Sequence, residues 1–211
     1  MCGWPLRKWN DAPYILHMSD LMRYASQLDE ISKDGQLPPV DRWDPPFCGN
    51  LDLIIKSDGT WIHEGTPIGR ARLVRLFSTV LKKEDEKFFL VTPVEKLGII
   101  VEDAPFLAVS LTQSMQGDVE LLTFKTNVGD TAVAGQDHKI EYRKRLGGED
   151  SAPYIHVRAG LEAKIARPVF YDMINLAQTR MVDGVEMFGV TSEGIFFEFC
   201  RASDLSMEAG Q

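Results

Sequence analysis

Cysteine is scarce in this chain of 211 residues: Cys2, Cys48 and Cys200 are the only three, and no two of them form a C-x-x-C pair. That number and spacing fit neither a disulfide framework nor a closed zinc site, so free thiols in a reducing cytoplasm are expected. Long hydrophobic runs are also missing. The run 97–101 is among the longest and falls far short of a bilayer. No basic segment followed by an apolar core opens the chain, so a secretory signal is not expected. There is no G-x-G-x-x-G, no Walker A loop, no G-x-S-x-G elbow and no H-E-x-x-H. No catalytic residue, cofactor or metal is therefore assigned.

What is present is an ordinary globular balance, with 44% hydrophobic and 26% charged residues. The length suits one large domain or two small ones. The net charge of −8 argues against general nucleic-acid binding. That charge is uneven. Residues 56–87 carry seven Lys/Arg against five Asp/Glu, residues 139–167 carry seven against four, and the remainder sums to −13. A basic pocket on an acidic body is compatible with that distribution.

The stretch 48–106 is the most densely punctuated. Residues 51–56 are apolar and β-branched, Asp58-Gly59 is a hairpin signal, and 61–63 resume the strand. Thr66-Pro67 offers a helix cap, and 68–81 follow at helical spacing. Residues 88–92 and 98–102 read as two further strands. The charged run 82–87 reads as a solvated loop. Upstream, 19–31 has helical spacing, and 35–46 holds four prolines and reads as an extended connector.

Downstream, 106–113, 119–127, 138–144 and 154–157 read as strands, 168–180 as a helix, and 188–190 and 195–199 as closing strands. The halves rhyme: Trp61-Ile62-His63 matches Tyr154-Ile155-His156, and Ile68-Gly69-Arg70 matches Ile165-Ala166-Arg167. The expected fold class is α+β, with two related antiparallel-sheet-plus-helix units and an N-terminal helix. The expected divisions are 1–46, 47–104, 105–200 and a polar tail at 201–211.

The runs HEGTPIGRARLVRLFSTVL and FFLVTPVEKLGIIVEDAPF resemble the signature of the bacterial family known as domain of unknown function 1285, over about residues 48–200. The resemblance implies a domain-duplicated α+β fold whose second half is loosely similar to pleckstrin-homology folds. It also implies a ligand site between the halves, nucleotide-like in its occupant, and a role in signalling. It brings no catalytic residue.

Arginine carries the site expectation. Arg70 lies seven residues before Phe77, so within the expected helix it shares the face of Leu73 and Phe77 near the positive end of the dipole. Arg167 precedes Ile174 by the same interval. A cation turned toward a core needs an anionic partner. Two partners are open: an internal carboxylate, from Asp52, Glu64, Glu95, Asp103 or Glu162, or a carboxylate or phosphate ligand suited to forked guanidinium donors. Lys96, Glu95 and Asp103 join the candidates because they match the family's motif. His63, placed like His156 in the rhyme, is the remaining candidate. The expected function is a small-molecule-binding or signalling protein for an anionic ligand, with no membrane span. The alternatives are an enzyme on a nucleotide-like substrate and a pleckstrin-homology-like interaction module.

Overall fold

The structure is a computed structural model that describes residues 37–145 and 150–204. The expected helix over 19–31 and the tail from residue 205 lie outside the described residues. Two compact units divide the chain, Met1–Glu102 and Asp103–Gln211.

In the first unit, β1 (Phe47–Ile55) and β2 (Trp61–His63) form an antiparallel hairpin. Asp58-Gly59 closes it as expected: Gly59 has φ 85°, and the Thr60 N–H donates to Asp58 Oδ1 at 2.8 Å. The chain then turns back at once. Glu64 and Gly65 have φ of 47° and 72°, the signature of a two-residue hairpin turn. That turn pairs β3 (Thr66–Pro67) with β2. Thr66-Pro67 is therefore strand and not helix cap, and α1 starts later than its periodicity suggested, at Ala71–Thr79. Leu73 and Phe77, one turn apart, are its buried anchors.

β4 (Leu81–Glu84), β5 (Lys87–Val91) and β6 (Lys96–Val101) complete a six-stranded sheet in the order β3-β2-β1-β6-β5-β4. The charged run 82–87 is thus a hairpin rather than a loop, turning at Asp85 with φ 52°. Leu53, Ile55, Trp61, Phe77, Leu81 and Leu90 fill the core of this unit, each at 2% exposure or less. Each such side chain contributes about 1.5–3 kcal/mol by leaving water.

The second unit opens with β7 (Phe106–Gln116), β8 (Val119–Thr126) and β9 (Thr131–Val133). β10 (Ile140–Lys144), β11 (Ser151–Arg158) and β12 (Leu161–Ile165) follow. Their sheet order is β10-β11-β12-β7-β8-β9. Read from its opposite edge, this is the order of the first sheet. In both, the first and sixth strands meet as the parallel pair, β1 with β6 and β7 with β12. The same four-residue pattern enters each first strand: Asp44-Pro45-Pro46-Phe47 before β1 and Asp103-Ala104-Pro105-Phe106 before β7.

This common order corrects the expected rhyme. α1 lies between the third and fourth strands of its unit, whereas residues 134–138 at that place in the second unit are bends. α2 (Arg167–Asn175) instead follows the sixth strand. Trp61–His63 belongs to the second strand of one sheet and Tyr154–His156 to the fifth of the other, so His63 and His156 do not correspond. The helix expected to reach residue 180 stops at Asn175, because Gln178 already pairs with Gly189.

β13 (Gln178–Val182), β14 (Val185–Ser192) and β15 (Ile195–Arg201) make a separate antiparallel sheet. Ser192 ties it to the larger one: its Oγ accepts from the Leu122 N–H at 2.9 Å and donates to the Ala134 carbonyl at 2.6 Å. With α1 and α2 only nine residues each, both halves are sheet-rich and the protein is mostly β. The α+β label overstates its helix.

Cys200 forms no disulfide, whereas Cys48 is disulfide-bonded. The expectation of uniformly free cysteines fails at Cys48.

Candidate functional site

The densest polar constellation in the second unit lies on one face of β10, β11 and β12. Alternation along these strands separates their residues. Ile140, Ile155 and Ala163, paired across the three strands, are buried. The opposite parity carries Glu141 beside Tyr154 beside Lys164, and His156 beside Glu162. Arg143 and Lys139 share that parity.

At one end of this face Asp103 is closed off, its side chain 1% exposed. Its Oδ1 accepts from the Tyr154 hydroxyl at 2.6 Å. Its Oδ2 takes both Lys164 Nζ at 3.1 Å and Arg145 Nε at 3.3 Å. Burial alone would raise the Asp103 carboxyl; the Tyr154 hydroxyl and then Lys164 more than offset it and hold it below the usual carboxylate range. The Tyr154 phenol is pushed well above its usual value, first by burial and then by its bond to Asp103. Arg143 stacks over the Tyr154 ring, 3.9 Å from its centre, and binds Glu162 at 2.5 Å. Arg145 reaches outward through Nη1 to Asp150 at 3.1 Å, whose side chain is 65% exposed.

At the other end a groove of about 250 Å³ is lined by Gln136, Asp137, Lys139, Glu141, His156 and Glu162. The His156 ring is fixed by backbone. Its Nδ1–H donates to the Asp137 carbonyl at 2.7 Å, and its Nε2 accepts from the Gly160 N–H at 3.1 Å. Both nitrogens are engaged, so the ring lines the groove and is not poised as a base. His138 stacks beside it, with ring centres 6.1 Å apart. Among the described residues no three His, Cys, Asp or Glu side chains converge as a metal ion would need.

Of the six candidate ligand-binding residues, Arg70, Glu95, Lys96, Asp103, Arg167 and His63, Asp103 alone sits in this constellation. Arg70 is exposed and extended, capping α1 from outside, so the core-facing stripe argued for it does not exist. Arg167 opens α2 and is exposed. Lys96 binds Glu84 at 2.8 Å and lies 5.0 Å over the Phe89 ring. Lys96 first, and Lys82 at 3.2 Å, hold the Glu84 carboxyl below its ordinary value. Glu95 shapes a turn, its N–H reaching Thr92 Oγ1 at 3.2 Å. His63 is buried in the first unit and donates its Nδ1–H to the Asp52 carbonyl at 2.8 Å.

Asp103 and Glu162, offered as partners for an arginine, are answered by Lys164, Arg145 and Arg143. Reading residue by residue missed those cations. The visible signal was the period-two pattern of KIEYRK, SAPYIHVR and LEAKI.

Two successive sheets of one strand order, the second carrying a polar face around a buried carboxylate, define a two-domain, sheet-rich protein. The chain belongs to the DUF1285 family. Its N-terminal domain of unknown function matches residues 38–104, and its C-terminal domain matches 105–199. A DUF1285 family protein from Silicibacter pomeroyi DSS-3 has a solved structure that is 46% identical. The similarity covers 88% of this chain and 97% of that one, with a TM-score of 0.79. A second DUF1285 structure, from Shewanella baltica OS155, is 30% identical over 59% of this chain and 91% of its own, with a TM-score of 0.48. Among curated proteins none matches. No helix among the described residues is long and apolar enough to cross a membrane.

Proposed function

We propose that the protein binds a small anionic ligand, nucleotide-like in carrying its charge at one end, on the polar face of β10–β12. The observation that carries this reading is the Asp103 anchor. One buried carboxylate holds Lys164 and Arg145, and Tyr154, its other partner, supports the Arg143 guanidinium. Three cations are thereby fixed in place before any ligand arrives, which lowers the ordering cost of binding.

Arg145 also has an exposed partner, Asp150, and exposed ion pairs are worth only about 0–1 kcal/mol. An incoming phosphate or carboxylate can replace Asp150 at small cost, whereas the buried Asp103 keeps its hold. In the adjoining groove Glu141, Glu162 and Asp137 accept hydrogen bonds from ligand N–H or O–H groups. Those acceptors favour a nucleotide over bare phosphate. With both His156 nitrogens engaged by backbone, binding is the better reading than turnover. The proposed likeness of this unit to pleckstrin-homology folds is supported by a sheet whose last strand runs directly into α2.

The test is a thermal-shift and calorimetric panel of inorganic phosphate and nucleoside mono-, di- and triphosphates. A nucleotide should raise the melting temperature of the wild type, because a ligand of the native state stabilises it. The shift should vanish in Arg143→Gln while the unliganded protein stays folded. Absence of any shift across the panel would defeat the reading.

A further inference from the structure

We propose that the outer edge of β7 docks a second copy of this chain, β7 pairing antiparallel with its own counterpart across a two-fold axis. β8 pairs with β7 from Ala108 to Gln116, whereas β12 on the other side reaches only Phe106, Leu107 and Ala108. Among the described residues no strand pairs with that side of β7 from Val109 onward. α2 also lies against β7, yet every residue from Thr112 to Gln116 stays exposed. Met115 is 62% exposed and Val109 46%. An unpaired edge presents a row of N–H and C=O groups ready to receive another strand.

Edges that are not meant to pair carry charge or proline, or are very short. The other edge strands here follow that rule. β3 is two residues and ends in Pro67; β9 has three residues. β4 carries Lys82, Lys83 and Glu84, and β10 carries Glu141, Arg143 and Lys144. β13 has Arg180, and β15 has Glu198 and Arg201. Residues 109–116, VSLTQSMQ, contain no charged residue and no proline. The long open edge is the unguarded one.

Charge also favours a second copy as the occupant. Two copies of net charge −8 repel overall, so pairing costs least where the facing segments carry no charge. Antiparallel pairing of VSLTQSMQ with itself sets neutral Thr, Ser and Gln opposite one another, with no like-charge contact. A charged peptide would find no complementary residue on this strand. A single strand pair lies below the usual ~1,200–2,000 Å² of a stable interface, so the dimer should be reversible and concentration-dependent.

The experiment is sedimentation and light scattering of the full chain from low micromolar to sub-millimolar concentration, with hydrogen exchange at both ends of the range. The wild type should pass from monomer to dimer, and amides in residues 109–116 should exchange more slowly when concentrated. The double variant Thr112→Lys, Ser114→Lys should stay monomeric with an unchanged melting temperature. A wild type that is monomeric throughout overturns the proposal, as does a dimer that persists in the double variant. Should that variant fail to fold, the wild-type exchange decides: protection of 109–116 that does not change with concentration also overturns it.

Discussion

The Tyr154 hydroxyl donates to Asp103 Oδ1 at 2.6 Å, and both side chains are closed to solvent. The bond joins the segment that enters β7 to the middle of β11, 51 residues further along the chain. Asp103 thereby links the entry to β7 with β11, two strands away in the sheet, and Lys164 adds β12, the strand between them, to the same carboxylate.

Removing the donor should cost less than removing the anion. Tyr154→Phe leaves Asp103 with both cations and should lose about 1–3 kcal/mol, the penalty for one unmet buried group. Asp103→Ala takes the carboxylate from Lys164, leaves Arg145 with Asp150 alone, and should lose about 3–5 kcal/mol. Urea unfolding at neutral pH measures both. A larger loss for Tyr154→Phe would show that the cations contribute little.

Acid should weaken the fold through the same group. The folded carboxyl of Asp103 lies below its ordinary value. Its charged form is therefore favoured by folding, and that stability is fully present above about pH 4, near the unfolded value. It is lost as pH falls through the lower folded value. Melting temperature should drop below about pH 4, and the drop should be shallower in Asp103→Asn. An equal slope in the two proteins would assign the effect to other carboxylates.

Ser192 is wholly buried and satisfies the Leu122 N–H and the Ala134 carbonyl. Ser192→Ala leaves both without a partner, at about 1–3 kcal/mol for each. The melting temperature should fall, and the amide of Leu122 should lose its protection from hydrogen exchange. Retained protection would mean that β8 does not depend on this bond.

Gly189 sits at the bulge where β14 meets β15. A methyl on it would press into the Phe197 carbonyl oxygen, which is backbone and cannot swing aside. Gly189→Ala should therefore destabilise by about 1–3 kcal/mol, as overpacking does. At Gly98 the nearest atom is the mobile end of the Asn50 side chain, so Gly98→Ala should cost less. Equal losses at the two sites would contradict the difference.

Strand and turn positions were legible wherever a local signal acts alone. Asp58-Gly59 turns a hairpin because glycine accepts φ 85° without strain, and Leu73 and Phe77 mark α1 by their spacing. Local signals misled where pairing competed with them. Thr66-Pro67 has the chemistry of a helix start, yet its pairing with β2 places it in a strand. The charged run 82–87 looks solvated, but Leu81 and Leu90 meet across it and close a hairpin.

The sequence by itself determined the composition of each element, and with it the alternation that puts Ile155 and Tyr154 on opposite faces of β11. It also held the paired Asp-x-Pro-Phe entries at 44–47 and 103–106, the local mark of the repeat. Only the tertiary structure decided which carboxylate each cation would meet. Asp44 and Asp103 enter their strands by the same pattern, but Asp44 is exposed and Asp103 is buried under Tyr154, Lys164 and Arg145. Burial and charge pairing depend on residues dozens of positions apart, and only strand order and register bring those residues within reach.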